Sequence, residues 1–126
     1  MEMRSPLARV RGLGAAHEGA HHWWGQRLTG IALVPLTLWF VWAASGLIGA
    51  DLATFKAWVG TGQNAVLLIL LIVSGVHHAQ LGLQVVIEDY VHSEGAKTVS
   101  LVLVKLGAVF LGVINVFAIL KLTFGS

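Results

Sequence analysis

Ionisable side chains fall in clumps along this chain, separated by three long apolar stretches. None occurs from Leu28 to Ala50. Between Val59 and Ile87 the only ones are the adjacent His77 and His78, and from Thr98 to Ser126 only Lys105 and Lys121 interrupt. A spanning helix needs about 20 predominantly apolar residues, and each stretch supplies them. Backbone N–H and C=O groups in lipid must bond within their own segment, which selects helices. The pattern predicts an all-α membrane protein, a single anchor domain over 1–126 with spans at about 27–49, 64–90 and 98–123.

The segment before the first span has a basic start, but its apolar stretch begins too late and runs too long for a signal peptide. Residues 1–26 are expected to form an N-terminal arm and interfacial segment. Arg4 to Arg11, with Pro6 and Gly12, fits an extended arm or a short surface helix. Orientation follows from Lys and Arg in the short flanks. Arg4, Arg9, Arg11, Arg27 and Lys97 fall on one side, against Lys56 and Lys121 on the other. The N-terminus is therefore expected on the cytoplasmic or matrix side and the C-terminus opposite. Trp23 and Trp24 suit the inner interface and Trp58 the outer one.

Composition narrows the class further. Of 126 residues, 56% are hydrophobic and 11% charged, whereas a soluble domain carries about a quarter charged residues. That excludes a soluble globular enzyme and a disordered chain. A net charge of +2 without a basic run excludes a conventional nucleic-acid binder. With no cysteine, the chain itself offers no disulfide, zinc ribbon, iron–sulfur ligation or thiol catalysis.

Ionisable groups inside a span are costly and mark candidate sites. His77 and His78 lie near the middle of the second span. At about 100° per residue, Gly82 sits about 40° from His78 and Gly75 about 60° from it. Bare positions there would relieve a flat macrocycle standing against an axial imidazole. They would equally let another helix pack closely, with the histidine hydrogen-bonding across the contact. His77 points about 100° away and cannot serve the same iron. Asp89 is rotated only about 20° from His78 and stands about 16 Å closer to the inner surface, followed at once by Tyr90. By topology Arg27 and the His21-His22 pair are expected at that same depth. Such a group suits an anionic propionate and a quinone carbonyl. The alternative is that Tyr90, Trp23 and Trp24 are belt residues and Arg27 a topology signal.

The stretch His78-Ala-Gln-Leu-Gly82-Leu-Gln84-Val-Val-Ile-Glu-Asp89-Tyr90-Val91 resembles the second-helix signature of the hydrophobic membrane anchor of succinate dehydrogenase, respiratory complex II. His21-His22-Trp23-Trp24-Gly-Gln-Arg27-Leu-Thr29, running on to Pro35, resembles that family's entry to helix one. The likeness covers about residues 17–92, while the third span and the arm carry no specific motif.

The resemblance implies an anchor that pairs with a cytochrome b-type hydrophobic subunit and shares one haem b with it. His78 would be an axial ligand of the haem iron, the second ligand coming from the partner. Tyr90 would hydrogen-bond ubiquinone, with Asp89 orienting the site or aiding proton uptake. Arg27 and His21 would neutralise haem propionates or line the quinone pocket, with the choice between His21 and His22 left open. The pair would dock an iron–sulfur subunit and a flavoprotein that oxidises succinate, in a bacterial or mitochondrial inner membrane. This chain has no cysteine or dinucleotide loop with which to do that chemistry itself. His92 and Glu94 could relay protons or simply be solvated loop residues. Two other readings stand beside it: the anchor of a fumarate reductase, and a non-redox three-span assembly or transport subunit. A self-contained dihaem cytochrome b is set aside, because the first and third spans contain no histidine.

Overall fold

The computed structural model describes residues 15–125 and is all-helical there. Its elements are α1 (Ala15–Ser45), α2 (Leu52–Gly60), α3 (Gly62–Tyr90) and α4 (Glu94–Phe124). Three of them are long and apolar enough to cross a membrane, over Ala20–Ser45, Gly62–Tyr90 and Glu94–Phe124. The three expected spans are therefore present. Arg4 to Arg11 lie outside the described residues.

Two boundaries differ from expectation. The helix of the first span already begins at Ala15, so residues 15–26 are helical and continuous with it. At its other end α1 stops at Ser45, four residues early. The chain turns there through Gly46 and Gly49, and Gly49 adopts φ +82°, a left-handed conformation open to glycine at no steric cost. The second difference is α2, a short helix where only a loop was expected. Asp51 caps it, its carboxylate accepting from the Thr54 N–H at 2.9 Å, and so satisfies one of the donors a helix start leaves free.

α3 is the middle of the molecule. It packs against α1 on one side and α4 on the other, while the backbones of α1 and α4 stay apart. The result is a layer one helix thick, with α2 folded over one end against α3 and α4. The buried side chains among the described residues are Val59, Ala65, Leu68, Leu81 and Ile119. Four of these cluster at the α2 end, with Trp39 and Trp58 packed on them. The two indoles stack with centroids 6.0 Å apart and planes 13° from parallel. Trp58 is thus half-buried against α1. Asn64 Nδ2 donates to the Trp58 carbonyl at 2.9 Å, tying the α2–α3 corner.

Gly60 is where α2 comes closest to α4. A Cβ there would lie 2.7 Å from the Leu122 carbonyl oxygen, a backbone atom that cannot swing aside. Gly60→Ala is expected to destabilise the detergent-solubilised protein by about 1–3 kcal/mol, the usual cost of overpacking. Gly62→Ala, with open space around it, is the control that should unfold like wild type. Equal unfolding midpoints for the two variants would contradict the close approach.

The Asp51 carboxyl is held below the ordinary carboxylate range, first by the Thr54 side-chain hydrogen bond and then by the Thr54 backbone N–H. A depressed folded-state pKa means the cap is complete above the ordinary carboxylate range and is lost as pH falls through the depressed value. The Thr54 amide resonance should therefore titrate below that ordinary range. In Asp51→Ala it should show no such step, and the Thr54 N–H should exchange faster at neutral pH.

Candidate functional site

The α1–α3 contact is built from small residues. A Cβ on Gly25 would stand 3.0 Å from Leu81 Cδ1, one on Gly30 3.5 Å from His78 Cε1, one on Gly75 3.8 Å from Leu33, and one on Gly82 3.8 Å from Gln26 Nε2. These pairs fix an antiparallel register in which residues 25, 26, 30 and 33 of α1 face 81, 82, 78 and 75 of α3. They also answer what the glycines beside His78 are for. Gly75 and Gly82 receive α1 of the same chain, as small residues do between membrane helices, and the bare surface next to the imidazole is Gly30, on the facing helix.

His78 is half-buried in this contact. Its Nδ1 lies 2.9 Å from Thr29 Oγ1, and Nε2 has no hydrogen-bond partner among the described residues. His77 is exposed at the seam between the α1-facing and α4-facing sides of α3, with Nε2 3.7 Å from the position of a Cβ on Gly25. It opens onto a groove of about 720 Å³ between α3 and α4, lined by Val73, Val76, Gln80, Lys105 and Gly112 as well. The two neighbouring histidines thus stand in different surroundings, as a rotation of about 100° requires.

The register also separates the group expected at one depth. Arg27 stands level with about Leu81, about 12 Å along the axis from Asp89, and its guanidinium lies 5.1 Å from the Trp23 ring centroid. Trp23 in turn meets Trp24 edge-on at 4.9 Å. Arg27 is therefore nearer the level of His78 than that of Tyr90. His21 lies within about a turn of the level of Asp89 and is exposed, whereas His22 is half-buried with Nε2 buried and unpartnered. Gln26 Oε1 is likewise buried without a partner. The inward polar atoms at this end of α1 are thus those of His22, the alternative to His21 that the sequence left open, and Gln26, which sequence reasoning had not singled out. Only the relation between α1 and α3 distinguishes His22 from His21.

Against this geometry, known proteins can be compared. The family of succinate dehydrogenase/fumarate reductase transmembrane subunits matches residues 1–117. The chain belongs to this family. A succinate dehydrogenase hydrophobic membrane anchor subunit of Rickettsia bellii (strain RML369-C) is 30% identical over 105 residues, covering 83% of this chain and 84% of its own. One from Paracoccus denitrificans is 31% identical over 90 residues, covering 71% and 70%. The succinate dehydrogenase membrane anchor subunit of Reclinomonas americana is 31% identical over 94 residues, covering 72% and 78%. No solved structure matches the chain significantly.

In this transmembrane subunit the end of α3 is open. Asp89 is exposed and Tyr90 is 77% exposed, and neither side chain has a hydrogen bond or ion pair to another described residue. Beside them runs a polar ladder on another face of α3. Gln80 Nε2 donates to Gln84 Oε1 at 3.1 Å, and Gln84 Nε2 donates to Glu88 Oε1 at 3.0 Å. His92 is exposed in the α3–α4 connection. Glu94 opens α4 and lies 4.0 Å from Lys97 Nζ, with Ser93 as the cap.

One observation bears on whether the residues fit a haem shared with a second chain: His78 is a mid-span imidazole with Nδ1 held by Thr29 and no hydrogen-bond partner at Nε2 among the described residues.

Proposed function

We propose that this chain is the membrane anchor subunit of a succinate:quinone oxidoreductase. With a second, cytochrome b-type hydrophobic subunit it binds haem b and forms the site of ubiquinone reduction, and it docks the iron–sulfur and flavoprotein subunits. It lies in a bacterial or mitochondrial inner membrane as a multi-pass protein with its N-terminus inside. The observation that carries the reading is His78, an imidazole in the middle of a span whose Nδ1 is held within the chain and whose Nε2 has no partner among the described residues.

Haem, when bound, supplies a one-electron redox centre whose properties the protein tunes through its ligands and their hydrogen bonds. His78, through Nε2, is the residue that would hold the haem iron. Arg27, at nearly the same level, offers positive charge to a propionate, and His21 joins it or turns to the quinone pocket. The exposed Tyr90 hydroxyl donates a hydrogen bond to a quinone carbonyl at the inner end of α3. Asp89, beside it, orients that end and takes up protons that quinone reduction consumes. A fumarate reductase anchor is the second reading, because the matching family spans both enzymes. The relatives named above are all anchors of succinate dehydrogenase.

A dithionite-reduced minus oxidised spectrum of the purified membrane complex tests the haem assignment. A b-type band is expected in wild type and in His77→Leu, and its loss in His78→Leu. Equal loss in both variants would move the ligand, and no band in wild type would favour a haem-free subunit.

Tyr90→Phe is expected to lower quinone reduction by up to about tenfold, the scale of one hydrogen bond of roughly 0.5–1.5 kcal/mol. Complex assembly and haem content should stay at the wild-type level. Normal turnover in that variant would remove Tyr90 from the quinone site.

A further inference from the structure

The hydrogen bond that holds His78 carries more information than its length. Thr29 Oγ1 lies 2.7 Å from the Gly25 carbonyl and 3.3 Å from that of Gln26, both on its own helix, and 2.9 Å from His78 Nδ1. A hydroxyl has one proton and two acceptor lone pairs. A main-chain carbonyl can only accept, so the Thr29 proton is directed back along α1 to Gly25, the ordinary bond of a mid-helix threonine. What remains for His78 is a lone pair. Nδ1 must then be the protonated nitrogen, and Nε2 the one that carries the free pair.

We infer that Thr29 is a positioning residue that fixes the tautomer and ring orientation of His78, and so decides which nitrogen is available as a metal ligand. The inference rests on the haem reading above and adds a role that reading does not contain. A ligating imidazole that donates its other N–H to an acceptor is oriented by that bond and made more basic. The acceptor here is itself anchored to the Gly25 carbonyl. Gly30, one residue on, leaves the imidazole edge uncovered, since a Cβ there would come to 3.5 Å from Cε1. Thr29 therefore acts on the iron through His78 without touching it. A more basic ligand favours the ferric state, so the bond lowers the haem potential.

The test uses the whole membrane complex carrying Thr29→Val, Thr29→Ala or Thr29→Ser, with His78→Leu alongside. Redox titration of the haem band and the low-spin ferric EPR spectrum are read, together with haem retained per complex. Thr29→Val and Thr29→Ala should raise the midpoint potential, change the EPR g values and weaken haem retention by about 10–100-fold, the usual effect of losing an outer-shell partner. Thr29→Ser, which keeps the hydroxyl, should restore all three. Wild-type potential and spectrum in the hydroxyl-free variants, with haem lost in His78→Leu, would overturn the role of Thr29 and leave the haem reading standing. Haem retained in His78→Leu would overturn both. Failure of both hydroxyl-free variants to assemble would make Thr29 a packing residue and count against the inference.

Discussion

Everything that distinguishes this chain from three generic apolar helices depends on how closely α1 can approach α3. Lipid supplies no hydrophobic drive for two apolar helices to associate, so the contact must come from packing and from polar bonds across it. Gly25, Gly30, Gly75 and Gly82 provide the first. The Thr29–His78 bond provides the second. The tightest of these approaches is at Gly25, where a Cβ would stand 3.0 Å from Leu81 Cδ1. The same closeness sets the level of Arg27 against α3 and turns His22 inward.

Much of this architecture was legible in the order of residues. Gaps in the charge pattern are a one-dimensional record of bilayer thickness, which is why the second span could be placed to its last residue, Tyr90. The end of α1 was hidden because residues 46–50 are as apolar as the helix before them, and only backbone conformation at Gly46 and Gly49 separates turn from span. α2 left a fainter signal, the Asp51 cap with Thr54 three residues on, masked by the expectation of a plain connecting loop.

The site was legible in part for a similar reason. Spacing along one helix is set by a fixed rotation and rise, so His78, Gly82 and Asp89 could be related to one another without a structure. Relations between helices depend on where they cross, which no periodicity records. Glycines beside His78 announced a close approach but not what approaches, and the visitor is α1. Arg27 was expected level with Asp89, yet the register sets them apart by about 12 Å. Thr29 went unnoticed for the same cause, as a hydroxyl in an apolar helix is unremarkable until the crossing point gives it a neighbour.

The single-helix thickness of the layer has a consequence for how the protein meets mutation. With five buried side chains among those described, none of them fully enclosed, the chain has almost no interior of its own. The broad outward faces of α1 and α4 are answerable to whatever lies against them, lipid or subunit. A substitution scan of this protein would therefore chart its surroundings. Intolerant positions would trace the α1–α3 seam and the α2 corner as the chain's own structure, and every other intolerant patch would be the imprint of a neighbour.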